Sequence, residues 1–156
     1  MKKILLLFLC TVLLQFSACK PAIYKHFIGI PDYVWKKDNT VLFKVKMEQP
    51  IPTADVRLGI RYMEGYFYDH LKVTVKRTSP SNQKLEKEIN IKMMDSEGAY
   101  IGEGMGDLWD VEESLMDGFE SFEEVGTYQY EVSQVMNEDQ FLLVVEVGLI
   151  VEEKEE

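Results

Sequence analysis

Cysteine is scarce in this 156-residue chain, which holds only Cys10 and Cys19, and proline is limited to 5 residues. With glycine at 10, that composition excludes collagen-like and low-complexity chains. Positive charge is the minority sign: 17 Lys and Arg stand against 27 Asp and Glu, a net charge of -10. A nucleic-acid module needs a basic footprint, so nucleic acid is not an expected partner. The glycines near 102–106 are not followed by a P-loop lysine, and no nucleotide is expected either. Histidine is confined to His26 and His70, neither of them in a nucleophile-and-base spacing. Carboxylates are too numerous to single out a glycosidase pair, so neither enzymatic activity nor a cofactor is expected.

Long apolar runs are also missing, with one exception. Lys2 and Lys3 precede residues 4–16, which carry no charge and include only Thr11 and Gln15 as polar members. As a helix this run spans roughly 20 Å, short of the roughly 30 Å hydrocarbon core, and so fits a cleavable signal better than a permanent membrane span. The run ends in Phe16-Ser17-Ala18-Cys19. Small residues directly before a cysteine form a bacterial lipoprotein pattern: residues 1–18 are the expected signal peptide, and Cys19 becomes the diacylglycerol-linked, N-acylated start of the mature chain. The alternative is an ordinary secreted protein cleaved near Ala18 with a free Cys19. Cys10 leaves with the signal in both cases, so no intrachain disulfide is possible. An acylated Cys19 leaves neither a thiol nucleophile nor a cysteine zinc site. At about 0.8 kcal/mol per buried methylene, several acyl chains tether a domain durably to a bilayer. Lys20 follows without an aspartate and without an acidic run, and the periplasmic face of the outer membrane is the expected location.

Residues 19–34, with Pro21, Gly29 and Pro31, read as the lipidated cysteine and a short tether. The expected domain is 35–153, with 154–156 a charged tail. Within the domain the apolar period is two. Val41, Phe43, Val45 and Met47 alternate with Leu42, Lys44 and Lys46; Val56, Leu58, Ile60 and Tyr62 alternate with Arg57, Gly59 and Arg61. The same alternation recurs through Leu71, Val73 and Val75, through Ile89, Ile91 and Met93, through Tyr128, Tyr130 and Val132, and through Val145, Val147, Leu149 and Val151. A short helix over 111–116 is the one helical expectation. At least six amphipathic strands predict an all-β, antiparallel sandwich of jelly-roll type.

Charge is divided along the chain. Residues 19–92 hold 14 basic and 8 acidic residues, whereas 93–153 hold 17 acidic residues and no basic one. Cross-strand pairing absorbs much of this in a sandwich, leaving 95–124 as an acidic, loop-rich surface. Within it, Asp95, Glu97, Asp107 and Asp110 are candidate hard-oxygen ligands for calcium, although they lack the alternate spacing of a calcium loop; a solvated loop with tight glycine turns is the alternative. Trp109 in the same segment, and the group Tyr66, Phe67 and Tyr68, are candidate partner contacts, with core packing as the competing role.

Taken in order, Cys19, Trp35 with Val41-Leu-Phe43, Asp55-Val-Arg-Leu-Gly-Ile-Arg61, Tyr66-Phe-Tyr68, Gly102-Glu-Gly-Met-Gly-Asp107, Gly126-Thr-Tyr128, Gln134-Val-Met136 and Val147-Gly-Leu149 resemble the gliding motility lipoprotein GldH family of the Bacteroidota. That resemblance implies a noncatalytic envelope lipoprotein, associated with the machinery that moves and secretes surface adhesins. Its implied partners are the bilayer, through acylated Cys19, and envelope proteins of that machinery. A surface glycan-binding β-sandwich lipoprotein is the alternative function, with Trp109 or the 66–68 group as the sugar platform.

Overall fold

The computed structural model describes residues 21–154, so the signal segment, Cys19 and residues 155–156 lie outside the described residues. The described chain is almost entirely strand: β1 (Tyr24–Gly29), β2 (Val34–Lys36), β3 (Val41–Met47), β4 (Ala54–Met63), β5 (His70–Thr78), β6 (Lys84–Lys92), β7 (Glu103–Met105), β8 (Leu108–Leu115), β9 (Gly126–Gln134), β10 (Gln140–Leu142) and β11 (Val144–Glu153), with one short helical turn at Pro31–Tyr33. A five-stranded sheet runs β1-β11-β4-β8-β7, a four-stranded sheet runs β3-β9-β5-β6, and β10 pairs with β2. Every described pairing is antiparallel. The expected β-sandwich is the observed architecture.

The alternation explains the layers. Val41, Phe43, Val45 and Met47 of β3 are buried while Leu42, Lys44 and Lys46 are exposed, and β4 buries Val56, Leu58, Ile60 and Tyr62. These inward rows meet Leu71, Val73, Val75, Tyr128, Tyr130, Val132, Val147, Leu149 and Val151 in one contiguous core. Fully burying each such aliphatic side chain contributes about 1.5–3 kcal/mol against the entropy of ordering the chain. Trp35 is completely buried, and its indole Nε1–H donates to the Asn39 carbonyl at 2.8 Å, which fixes the turn between β2 and β3.

Two expectations are corrected. Residues 111–116 are not helical: 108–115 form β8, because Trp109, Val111 and Leu115 line up beside Tyr62, Ile60 and Val56 of β4 and the ladder satisfies the backbone. The segment read as a tether enters the fold as well. Tyr24 to Gly29 pair with β11 in continuous register, so the folded part begins at β1 rather than at residue 35.

The outer face of the five-stranded sheet shows why β1 belongs there. The Phe27 ring lies across two glycines, Gly59 on β4 and Gly148 on β11; a Cβ added at these positions would sit 2.9 Å and 2.4 Å from the ring. Arg61 lies over the same ring at 5.9 Å. Gly148→Val therefore forces the ring off the sheet and is expected to destabilise the protein by about 1–3 kcal/mol in urea unfolding. Combined with Phe27→Ala, which vacates the space, it should cost less than the two single changes added together; strict additivity would refute the contact.

Buried tyrosines make the fold sensitive to alkali. The Tyr62 hydroxyl donates toward the Met93 and Ile101 carbonyls, at 2.9 and 2.7 Å, and burial pushes its pKa up to about 12. Burial raises Tyr130 too. A phenol raised in the folded state contributes stability that is fully present below its unfolded pKa near 10 and is lost as pH climbs through the folded value. The urea midpoint is thus expected to hold steady from pH 7 to 9 and to drop between pH 10 and 12. Tyr62→Phe should weaken the protein at pH 7 and flatten that drop; a drop of unchanged steepness would exclude Tyr62 as its source.

Candidate contact surface

The loop at 64–69 is set by the end of β4. Gly65 takes a positive φ of 96°, the left-handed conformation that glycine adopts without a Cβ penalty, and its N–H donates to the Tyr100 hydroxyl at 2.8 Å. Glu64 N–H donates to the Asp107 carbonyl at 2.8 Å and Tyr66 N–H to the Met63 carbonyl at 3.2 Å, tying the loop to the turn between β7 and β8 and to its own strand. The Asp69 carbonyl then receives the N–H groups of Met93 and Met94, which holds the far end of the loop against β6.

On this backbone the aromatic rings run outward from the core in sequence. Tyr62 meets Tyr66 edge-on at 5.2 Å; Tyr66 meets Phe141 of β10 at 5.4 Å and Tyr68 at 5.8 Å. Tyr68 also packs on Phe141 at 4.4 Å, and Phe67 stacks on Tyr68 at 4.6 Å. Each such ring pair contributes about 0.5–1.5 kcal/mol beyond its burial. Burial drives the Tyr66 phenol strongly upward in pKa, with Tyr62 and Tyr68 adding to the shift, so it stays neutral at any ordinary pH. The series ends in solvent: Tyr66 is 1% exposed and Phe67 is 65% exposed.

The four sequence candidates for partner contact are thereby placed differently. Phe67 is open to a partner, Tyr68 is half-buried beneath it, and Tyr66 is core. Trp109 is half-buried, aligned with Tyr62 on the inward side, and its ring packs on Tyr100 at 5.4 Å and against Gly104. Three exposed side chains that sequence reasoning did not single out share this end of the sandwich. Tyr33 directly precedes Val34, the cross-strand partner of exposed Leu142, and Met105 is opposite Leu108, itself opposite Met63 at the end of β4. Tyr24 stands at the other end of the sheet, in the row of Val151, Val56 and Leu115. Seven strand positions separate Val56 from Met63, roughly 23 Å.

The calcium candidates do not converge. The Asp95 carboxylate accepts the N–H groups of Glu97 and Ala99, at 2.8 and 2.9 Å, and those bonds, Ala99 first, lower its pKa. Asp110 is engaged by Arg61 through two bonds of 2.7 and 2.9 Å, while Glu97 and Asp107 are exposed. Among the described residues no three histidine, cysteine or acidic side chains are grouped to hold a metal ion. A cavity of about 450 Å³ lies on the outer face of the five-stranded sheet beside Phe27, Gly59, Arg61, Gly102 and Glu112. Two of its three carboxylates are already occupied, Asp110 by Arg61 and Glu112 by Arg57, at 2.7 and 2.9 Å, and the third is the exposed Glu103. His70 contacts Asp69, and His26 meets the edge of Tyr24.

No curated protein matches the sequence. Among solved structures the chain is similar to an Eiger TNF from S. frugiperda, 13% identical, with 88% of this chain and 96% of that one covered and a TM-score of 0.44. It is also similar to the infectious bursal disease virus VP2 subviral particle, 12% identical, covering 86% of this chain and 34% of that one at a TM-score of 0.35. A third likeness is to TmCBM61 in complex with beta-1,4-galactotriose, 12% identical, covering 83% and 84% of the two chains at 0.27. Scores of this size carry no argument about function. The family comparison is of another kind: the GldH lipoprotein family matches residues 22–151, from just ahead of β1 into the last strand, and the chain belongs to that family.

Proposed function

We propose that this protein is a noncatalytic, lipid-anchored component of a gliding-motility or adhesin-secretion apparatus. It is held at the periplasmic face of the outer membrane by acylated Cys19, and it docks envelope proteins through the end of the sandwich that carries Phe67. Family membership over residues 22–151 supports the setting. The observation that carries the docking role is the stack of rings from Tyr62 to Phe67, which is rigid at its base and exposed at its tip. An immobilised aromatic ring loses little entropy when a partner covers it, which is the property of an interface anchor. Tyr33, Met105 and Leu142 supply further exposed apolar area at the same end, opposite the end where β1 leads back to Cys19.

Two measurements test this reading. Cys19→Ala is expected to leave the domain folded and to move it from the membrane to the soluble fraction; a processed variant that still sediments with membranes would remove the acyl anchor. A photo-crosslinking residue at position 67 or 142 should capture envelope proteins in intact cells, whereas one at Gln49, exposed beyond β3 at the opposite end, should not. Phe67→Asp is expected to change folding stability by less than about 0.5 kcal/mol, because the side chain is mostly in solvent. It should nonetheless abolish capture and surface gliding. Normal capture with Phe67→Asp would show that the docking surface lies elsewhere.

A further inference from the structure

The four-stranded sheet turns one face to the core and the other to solvent. On the solvent face the register brings together Lys44 and Lys46 of β3, Lys72 and Lys76 of β5, and Lys84 and Lys92 of β6. Glu131, Glu86 and Glu88 share that face, so six lysines stand against three glutamates. The rest is Leu42 and His70 with the uncharged Thr74, Thr78, Asn90, Thr127, Gln129 and Ser133. Among the described residues, Lys44, Lys72, Lys76 and Lys84 have no carboxylate within ion-pair distance, whereas both arginines on the outer face of the five-stranded sheet are fully engaged. That opposite face has the reverse balance: Asp55, Glu103, Asp110, Glu112, Glu146 and Glu152 against Lys25, Arg57 and Arg61. The sandwich is electrically two-sided.

The position of β1 sets how far the proposed anchor can lie from the fold. Tyr24 opens β1, which lies beside β3. Four residues lie between Cys19 and Tyr24, a reach of at most roughly 18 Å over five Cα steps. An anchor at Cys19 therefore lies near the edge where β1 and β3 meet, within reach of the lysine face. Ile23, just before β1, and Leu42, in the middle row of that face, are exposed apolar side chains suited to the headgroup region.

We infer that the lysine face of the four-stranded sheet lies against anionic phospholipid headgroups, orienting the tethered domain with its acidic face away from the bilayer. The inference rests on the proposal that Cys19 carries the anchor. A protein with this net negative charge would not concentrate itself on an anionic surface; the tether supplies the proximity and the lysines supply the orientation. The contact is electrostatic and falls off within a Debye length, about 8 Å at physiological salt.

The test is lysine footprinting with an acetylating reagent, read by mass spectrometry. The native protein is returned to vesicles of phosphatidylcholine alone or with 30 mol% phosphatidylglycerol, roughly the anionic content that gives such a surface its potential. Lys44, Lys72, Lys76 and Lys84 are expected to react about fivefold more slowly on the anionic vesicles, while Lys36 and Lys37 are unchanged. Raising the salt, or introducing Lys44→Glu with Lys76→Glu, should abolish the difference; equal labelling on both vesicles would overturn the inference. Flotation on the neutral vesicles reports the anchor separately. Should the native protein not float, the mature chain coupled through the Cys19 thiol to a maleimide lipid supplies the tether artificially, and the same footprint then decides the orientation. Protection by an added envelope protein in detergent, with none from vesicles, would assign the face to a protein partner and refute the lipid contact.

Discussion

The rest of the structure depends on one constraint: a chain with no basic residue between 93 and 153 must fold its acidic half without concentrating the charge. The strand order meets it by interleaving. β11 lies between β1 and β4, β8 lies on β4, and β9 lies between β3 and β5, so each of these strands is hydrogen-bonded to strands from the basic half. At the centre, Arg57 gathers Asp55, Glu112 and Glu152 at 2.6 to 2.9 Å, and Arg61 gathers Asp110 and Glu146 at 2.7 Å. The hydrogen bonds that Arg61 donates to Asp110 raise its pKa despite partial burial. For Arg57, burial opposes the charge, but Glu152, Glu112 and Asp55 together outweigh it. Partly exposed pairs of this kind contribute little singly. Their larger effect is on register, because a one-residue slip would move the carboxylates of β8 and β11 away from the arginines and turn the core row outward. The same topology makes most contacts distant in sequence, which is the pattern of slowly folding β proteins.

Arg77 answers a related problem on the other side of the core. Its guanidinium donates to the carbonyls of Phe119 and Ser121, at 3.1 and 2.9 Å, and lies 5.5 to 5.8 Å from the rings of Phe119, Phe122 and Tyr128. A planar, weakly hydrated cation with several donors is suited to such a site, and a lysine would not reproduce it. The effect is to pin the acidic segment 117–124 to β5, so that part of the chain expected to be a loose acidic surface is held by a half-buried cation instead.

Where the sequence was legible, one face of a strand was buried and the other solvated. β3, β5 and β9 show this over most of their length, and β4 and β11 carry the same inward rows although Gly59, Gly148 and Ile150 of their outer face are buried. β6 shows it only in its second half, because Leu85 is half-buried and Lys87 occupies the next inward position, reaching out to Asp117. β1 was hidden by an apolar residue on each face: Ile28 aligns with inward-facing Val147, while Phe27 covers the glycines outside. β8 was hidden by Glu113, which sits opposite Leu58 in the inward row and interrupts the period; the remaining Val111, Leu115 and Met116 imitate helical spacing. β2, β7 and β10 have three residues each, too few to carry a period. The contact surface was half legible for the same reason. Tyr66, Phe67 and Tyr68 form a visible group, but Phe141, more than seventy residues away, decides which of them is buried.

The two surfaces constrain one another. With the lysine face against headgroups, the strands of the four-stranded sheet run along the bilayer rather than into it, since a sheet can lay a whole face on a plane only with its strands parallel to that plane. The sandwich end bearing Phe67, Tyr33, Met105 and Leu142 would then point sideways, level with the membrane surface, and the acidic face of the five-stranded sheet would point into the aqueous compartment. A partner reaching Phe67 in that pose approaches along the membrane. Two bodies confined to one plane encounter each other from far fewer orientations than two free in solution, so a rigid ring stack of modest area suffices to select the docked arrangement. On the proposed anchoring, the position of β1 is what makes this possible: because the fold begins at Tyr24, only a short stretch of chain would join it to a lipid on Cys19, so that orientation, and not mere attachment, would pass from the bilayer to the proposed docking end.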